Sequence, residues 1–338
     1  TNGKLTGQTF VNGAKCDPGD LNNISGFVFQ EDVLLPFMTV EEAILMSATL
    51  RLPKEVRGEE RRQRVAETIE TMRLQAASHT IVGSTLRKGI SGGERKRTAI
   101  GMELVTHPPV LFLDEPTTGL DTFTAFMVIK SLSDLARKGC TVVATIHQPS
   151  TEIFNLFDDL VLMSRGQIAY MGEASKSVAY FANIGYHCPR HSNPGDYYFM
   201  HVLREFGEID ETLGLSNAPS PTPSSTNLLH DSAHESALSE KRRDVVRSSC
   251  DERIEKVLSK WKVSDECQQL EQLLASYSAN GVAPNAIRSH APVWRQFRLL
   301  LDRSAKNLIR DYAVIISRLF QAIFLGLLVG LAYAETNN

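Results

Sequence analysis

The stretch Ile90–Asp121 constrains the fold of this chain more than any other. It reads Ile90-Ser91-Gly92-Gly93-Glu94-Arg95-Lys96-Arg97 and passes through a helical run. It then gives Val110-Leu111-Phe112-Leu113-Asp114-Glu115-Pro116 and closes on Gly119-Leu120-Asp121. A Ser-Gly-Gly turn that opens a helix presents bare backbone N–H groups at a positive helix end, which makes a phosphate site. The apolar run before Asp114-Glu115 is patterned as a buried strand. A strand that stops on two adjacent carboxylates sends them in opposite directions from the pleat. It also puts them at the carboxyl edge of the sheet, where α/β ligands bind. One carboxylate can hold Mg²⁺ through water, and the other can poise a water for attack on a γ-phosphate. Either unit alone is commonly an ordinary loop or turn. The signal is the pair, in this order, with Pro116-Thr117-Thr118-Gly119-Leu120-Asp121 behind it.

The flanking sequence extends the same pattern. Cys140–Ile146 is a second buried-strand run and ends on His147-Gln148-Pro149. With the helix Thr124–Lys138 before it, this predicts a β-α-β unit. A His at a strand's carboxyl end beside Asp-Glu is placed to hydrogen-bond a γ-phosphate. Ile24–Phe29 is β-branched and aromatic and ends on Gln30-Glu31-Asp32. Thr6–Gly13 alternates and ends on Asn-Gly, a strand followed by a turn. Thr39 with Glu42 predicts a capping box for a helix that stops near Pro53. Arg57–Arg64 reads as a solvated charge run, and Val65, Ile69, Met72 and Leu74 as the apolar face of the next helix. Leu160–Met163 and Arg165–Gly172 predict a hairpin turning at Arg165-Gly166.

Ser91-Gly92-Gly93-Glu94 resembles the signature motif of ATP-binding cassette (ABC) ATPases, and Leu111–Glu115 resembles their Walker B strand. Ser91–Arg97 followed by Thr98–Leu104 is similar to the narrower White-type half-transporters, subfamily G. Asn193-Pro194-Gly195-Asp196-Tyr197 resembles that subfamily's Asn-Pro-Ala-Asp-Phe mark, with Gly for Ala and Tyr for Phe, and Met200 stands where an acidic residue often follows. The resemblance implies an α/β fold: a P-loop NTPase-type ABC nucleotide-binding domain, partial here, with a helical signature subdomain. It implies ATP and Mg²⁺ as cofactors. Gln30 would be the Q-loop glutamine, reaching Mg²⁺ and the attacking water, and Asp114 would be the second Mg²⁺ residue. Glu115 would be the catalytic base and His147 the switch histidine. Ser91, Gly92, Gly93 and Glu94 would form the signature that meets a partner's ATP, with Asp121 reaching across to that partner. The resemblance further implies a homo- or heterodimer of half-transporters that closes on ATP, hydrolyses it, and reopens to export a lipid, sterol or other hydrophobic molecule.

No Gly-x-x-x-x-Gly-Lys-Ser/Thr phosphate loop occurs. Gly3-Lys4 comes nearest and fails because Leu5 stands where the hydroxyl belongs. The expectation is that the chain starts just after its own Walker A loop and does not hydrolyse ATP by itself.

The remaining sequence sets the domain order. Residues 1–206 read as the partial nucleotide-binding domain, with the helical subdomain at about 33–105, and residues 207–286 as a linker. Asn217–Thr226 is rich in Ser, Pro and Thr, and Asp251–Gln272 is charged and weakly helical. Residues 287–311 read as an amphipathic connecting helix, with Trp294, Phe297, Leu301 and Leu308 on one face and Arg and Lys on the rest. That is a composition for anionic lipid headgroups. Residues 312–338 read as a first transmembrane helix. Its run Ala313–Ala334 is long enough to cross a bilayer if Arg318 snorkels. Basic residues crowd its N-terminal side, so that side, with the nucleotide domain, is expected in the cytoplasm. Ala322, Gly326, Gly330 and Ala334 recur every fourth residue and predict a helix-packing face.

Net charge of −3 gives no reason to expect a nucleic-acid partner. Five cysteines, scattered and without Cys-x-x-Cys, fit reduced thiols rather than a disulfide framework or a zinc site. Two other readings stay open. A soluble ABC ATPase acting on ribosomes or DNA has Ala322–Ala334 against it. A catalytically incomplete regulatory partner, supplying only a signature, has Glu115 and His147 against it.

Overall fold

The computed structural model describes residues 6–84, 87–203, 251–277 and 291–336. The Gly3-Lys4 approach to a phosphate loop, the Asn217–Thr226 tract and most of the 207–286 span lie outside the described residues. The chain divides into two compact units, Thr1–His147 with Ser278–Asn338, and Gln148–Tyr277.

The first unit opens with a hairpin, β1 (Thr9–Val11) paired antiparallel with β2 (Ala14–Cys16). Asn12 and Gly13 form its turn at φ 50° and 78°, the left-handed pair that a two-residue hairpin needs. Helix α1 (Pro18–Ile24) leads into β3 (Ser25–Val28). Strands β3, β4 (Val110–Asp114) and β5 (Thr141–Thr145) form a parallel sheet with β4 central. Between β4 and β5 runs α5 (Thr122–Arg137), which buries Val128, Ile129, Leu132 and Leu135. The predicted β-α-β unit is therefore present. Val28, Leu111 and Leu113 face the core, whereas Phe27 and Val143, which share a register row with Phe112, are exposed.

Three α-helices lie between β3 and β4 among the described residues. Helix α2 (Val40–Arg51) carries the predicted capping box: Glu42 N donates to Thr39 Oγ1 at 3.2 Å, and Thr39 N donates to Glu42 Oε2 at 3.0 Å. Helix α3 (Gly58–Thr71) contains the charge run in its first turns, with Arg64 paired to Glu60 at its surface. Val65 and Ile69 are buried on α3, and Met72 and Leu74 are buried in the turn after it. Helix α4 (Gly92–Leu104) packs on α2, where Arg51 grips Glu103 with two hydrogen bonds of 2.6 and 2.7 Å.

Helix α11 (Val293–Arg310) docks on α2 through charge. Arg310 donates to both Glu42 oxygens, at 2.6 and 2.9 Å, and Lys306 lies 3.4 Å from the same carboxylate. Trp294, Phe297, Leu301 and Leu308 are exposed along α11. The hydrogen bonds from Arg310 hold the Glu42 carboxyl down to about 2, against a partial burial that pushes the other way. A depressed folded-state pKa stabilises the fold above the unfolded value and stops doing so as pH falls through the folded one. The α2–α11 contact is therefore expected to weaken between about pH 4.5 and about pH 2. In Arg310→Gln the loss of stability across that window should shrink, as read from the melting temperature against pH.

Helix α12 (Tyr312–Thr336) follows, with the described side chains from Ile315 to Gly330 exposed. Among the described residues no single helix is both long and apolar enough to cross a membrane. Val293–Arg310 and Ile315–Gly330 meet that test only as a pair bent by 70°. The expected first transmembrane helix, residues 312–338, falls on α12 except for 337–338, which lie outside the described residues.

The second unit holds α6 (Thr151–Phe154), the hairpin β6 (Asp159–Ser164) and β7 (Gln167–Glu173), α7 (Ala174–Asn183) and α8 (Pro194–Tyr197). The hairpin turns at Arg165-Gly166, as predicted, with φ 51° and 71°. Helices α9 (251–263) and α10 (Asp265–Tyr277) belong to the same unit. Within the span expected as a linker, residues 251–277 are helical and packed. Ile254, Val257, Leu258 and Trp261 are buried against Tyr170, Tyr180, Phe181 and Tyr198. The cause is the spacing i, i+3, i+4, i+7, which puts these four on one stripe of a helix. Glu255, Lys256, Ser259 and Lys260 fill the positions between.

Candidate functional site

Strand β4 ends on Asp114, at the carboxyl edge of the sheet. Glu115 then takes a left-handed backbone, φ 42°, which a non-glycine residue holds only when its surroundings fix it. Its side-chain direction is therefore set by this turn and not by the strand pleat. Four hydrogen bonds fix the turn. Glu115 N donates to Thr145 Oγ1 at 3.0 Å, and the same hydroxyl donates to Asp114 Oδ1 at 2.8 Å. Gln30 Nε2 donates to Glu115 Oε2 at 2.8 Å, and Thr118 Oγ1 donates to that oxygen at 2.9 Å. Residues from the ends of β3, β4 and β5 thus converge, although Gln30 and Glu115 are 85 positions apart. His147 lies two residues beyond β5 at the same edge and is exposed.

The second cluster is built on two helix starts. Ser91 caps α4: Glu94 N donates to Ser91 Oγ at 3.3 Å, and Ser91 N donates to Glu94 Oε2 at 2.8 Å. Glu94 is thus occupied by a capping box. The first-turn amides of α4, Gly92 and Gly93 among them, have no intrahelical acceptor and can serve an anion. Asp121 caps α5, accepting Thr124 N at 3.0 Å and Thr124 Oγ1 at 2.6 Å. The Thr124 hydroxyl and then its amide hold the Asp121 carboxyl below its ordinary value.

The two helix starts touch. A Cβ on Gly93 would stand 2.0 Å from Thr124 Cγ2, and Thr124 cannot swing away without releasing Asp121. Gly93→Ala is expected to destabilise the protein by about 1–3 kcal/mol, the usual range for overpacking. A melting temperature equal to the parent's would contradict this.

Sequence reasoning named Gln30, Asp114, Glu115, Ser91, Gly92, Gly93, Glu94, Asp121 and His147 as candidates, and among the described residues it missed three that hydrogen-bond them. Thr118 and Thr145 hydrogen-bond the carboxylate turn. Lys96, on α4, donates to the Gln30 carbonyl at 2.9 Å. A sequence signal existed only for Thr145, a polar residue closing a buried-strand run.

Residues 4–118 match the family described as ABC transporter, and residues 147–337 match the family described as ABC-2 type transporter. The broad substrate specificity ATP-binding cassette transporter ABCG2 of Rattus norvegicus is 34% identical over 346 residues, which cover 99% of this chain and 48% of that protein. ABC transporter G family member 13 of Arabidopsis thaliana is 36% identical, covering 96% of this chain and 47% of that one. Protein white of Drosophila melanogaster is 32% identical, covering 97% and 43%. The chain spans about half the length of the curated relatives it matches. The sheet and its helices are accordingly a P-loop NTPase-type, ATP-binding domain. With a match to the ABC transporter family in front of a match to the ABC-2 type transporter family, the chain belongs to the ABC transporters of the ABC-2 type, in subfamily G.

Proposed function

We propose that the protein is one half of an ATP-driven exporter of lipids, sterols or other hydrophobic molecules, and that it works as a homo- or heterodimer. The observation that carries this reading is the Gln30–Glu115–Thr145–Asp114 cluster at the sheet edge. Glu115 is the general base, accepting a proton from the attacking water. Gln30 orients the carboxylate, and His147 hydrogen-bonds the γ-phosphate. The donor set at Asp114 is oxygen, the type Mg²⁺ takes, and Asp114 would hold the ion through water, with Gln30 beside it. Bound Mg²⁺ neutralises charge on the transferring phosphoryl group. Gly92 and Gly93 offer amides to the γ-phosphate held by the partner, Ser91 meets it from the same turn, and Asp121 sits beside them through Thr124. Glu94 serves this turn by capping it. The apolar stripe of α11 lies on lipid headgroups, with the nucleotide domain on the cytoplasmic side.

The test is ATP-dependent accumulation of a labelled sterol or hydrophobic dye in inside-out vesicles that carry the full-length protein. Uptake that requires MgATP and fails with a non-hydrolysable analogue is expected. The absence of uptake with every hydrophobic probe, in a protein that hydrolyses ATP, would contradict export.

A further inference from the structure

Lys96 is an anomaly. It sits on α4 a little over one turn from Ser91, and only 2% of it is exposed. A buried ammonium is costly unless paired. Its pairing is with one short segment: Nζ donates to the Gln30 backbone carbonyl at 2.9 Å and lies 2.7 Å from Asp32 Oδ1. Gln30 in turn donates its side-chain amide to Glu115 Oε2 at 2.8 Å. Unbroken polar contacts therefore run from the helix that Ser91 caps, through Lys96 and Gln30, to Glu115.

With Gln30 and Glu115 assigned as proposed above, we propose that Lys96 is a positioning residue. It ties the backbone of Gln30 to α4, so that a displacement of the Ser91–Gly93 turn reaches Gln30 and then Glu115. The turn serves one nucleotide and the carboxylate another. Lys96 thus connects, within one chain, the two ATP sites to which that chain contributes. The tie is rigid because the lysine head is buried and held at two points. A surface lysine making one contact would transmit nothing of the kind.

Removing Lys96 alone would strand the Asp32 carboxylate, so the decisive variant is Lys96→Met combined with Asp32→Asn, which leaves no unpaired buried charge. Two readouts apply to the full-length protein. In amide hydrogen exchange, the backbone around Gln30 should exchange about tenfold faster in the double variant, the signature of a lost local tie. In steady-state ATPase assays kcat should fall about tenfold with KM within about twofold, and the same pair of changes in a Gln30→Ala background should cost less than about twofold. Unchanged exchange around Gln30 would overturn the tie. A tenfold loss that persists in the Gln30→Ala background would also overturn it, because Lys96 would then act by another route. A parent without ATPase activity would instead sink the catalytic reading, and the exchange comparison would still decide the role of Lys96.

Discussion

Glu115→Gln in the full-length protein should leave ATP binding within about twofold and lower turnover by roughly 10²–10⁴, the range a general base contributes. The substitution keeps the shape of the side chain. Its amide oxygen can still accept from Gln30 Nε2 and from Thr118 Oγ1, the two bonds that now hold Glu115 Oε2. The left-handed backbone at Glu115 and its bond to Thr145 do not involve the side chain and should persist. Only the capacity to take a proton disappears. Fluorescent-nucleotide binding and phosphate release, measured on the same preparation, separate the two effects. Equal losses of binding and turnover would mean that Glu115 holds the nucleotide instead of activating water. Near-normal turnover would remove it from the chemistry.

Trp261→Ala should destabilise the protein by about 3–5 kcal/mol, the range for deleting a buried aromatic. Trp261 is 4% exposed, with its ring centroid 5.6 Å from that of Tyr170 and 5.7 Å from that of Tyr180. Neither tyrosine can collapse into the gap easily. Tyr170 donates its hydroxyl to the Glu173 carbonyl at 2.8 Å, and Tyr180 packs edge-on against Phe181. Trp261→Phe keeps most of the buried surface and should lose less than half as much. Chemical denaturation of the two variants beside the parent gives the ranking. Parity between Trp261→Ala and the parent would show that helix 251–263 contributes nothing to the core.

Trp261 also marks where the sequence was hardest to interpret. Its stripe with Ile254, Val257 and Leu258 is regular, but four apolar residues among many charges, next to a Ser- and Pro-rich tract, look like a linker. What decided the outcome was a distant partner surface, the aromatic face of Tyr170, Tyr180, Phe181 and Tyr198. Local features were readable because their causes are local. The capping boxes at Thr39–Glu42 and Ser91–Glu94, and the turns at Asn12-Gly13 and Arg165-Gly166, lie within a few residues of the signals that announce them. The ends of β4 and β5 followed from their apolar runs. The network behind the carboxylates was not readable. Thr145 reaches Asp114 across 31 positions, and Lys96 reaches Gln30 across 66. No periodicity encodes such pairs.

The resemblance already divides Ile90–Asp121 between two sites, a signature that meets a partner's ATP and a carboxylate pair for the chain's own. The structure gives it two clusters, one at the sheet edge and one at the starts of α4 and α5. In the proposed dimer they serve different nucleotides. A complementation experiment with two differently tagged copies tests this most directly, using Glu115→Gln for one cluster and Gly92→Asp for the other. With the lesions on separate copies, one complete site remains, and about half the parent's ATPase activity is expected. With both lesions on one copy and none on the other, each shared site carries a defect, and activity should be lost. The reverse pattern would show that each chain completes its own site, and would contradict the account.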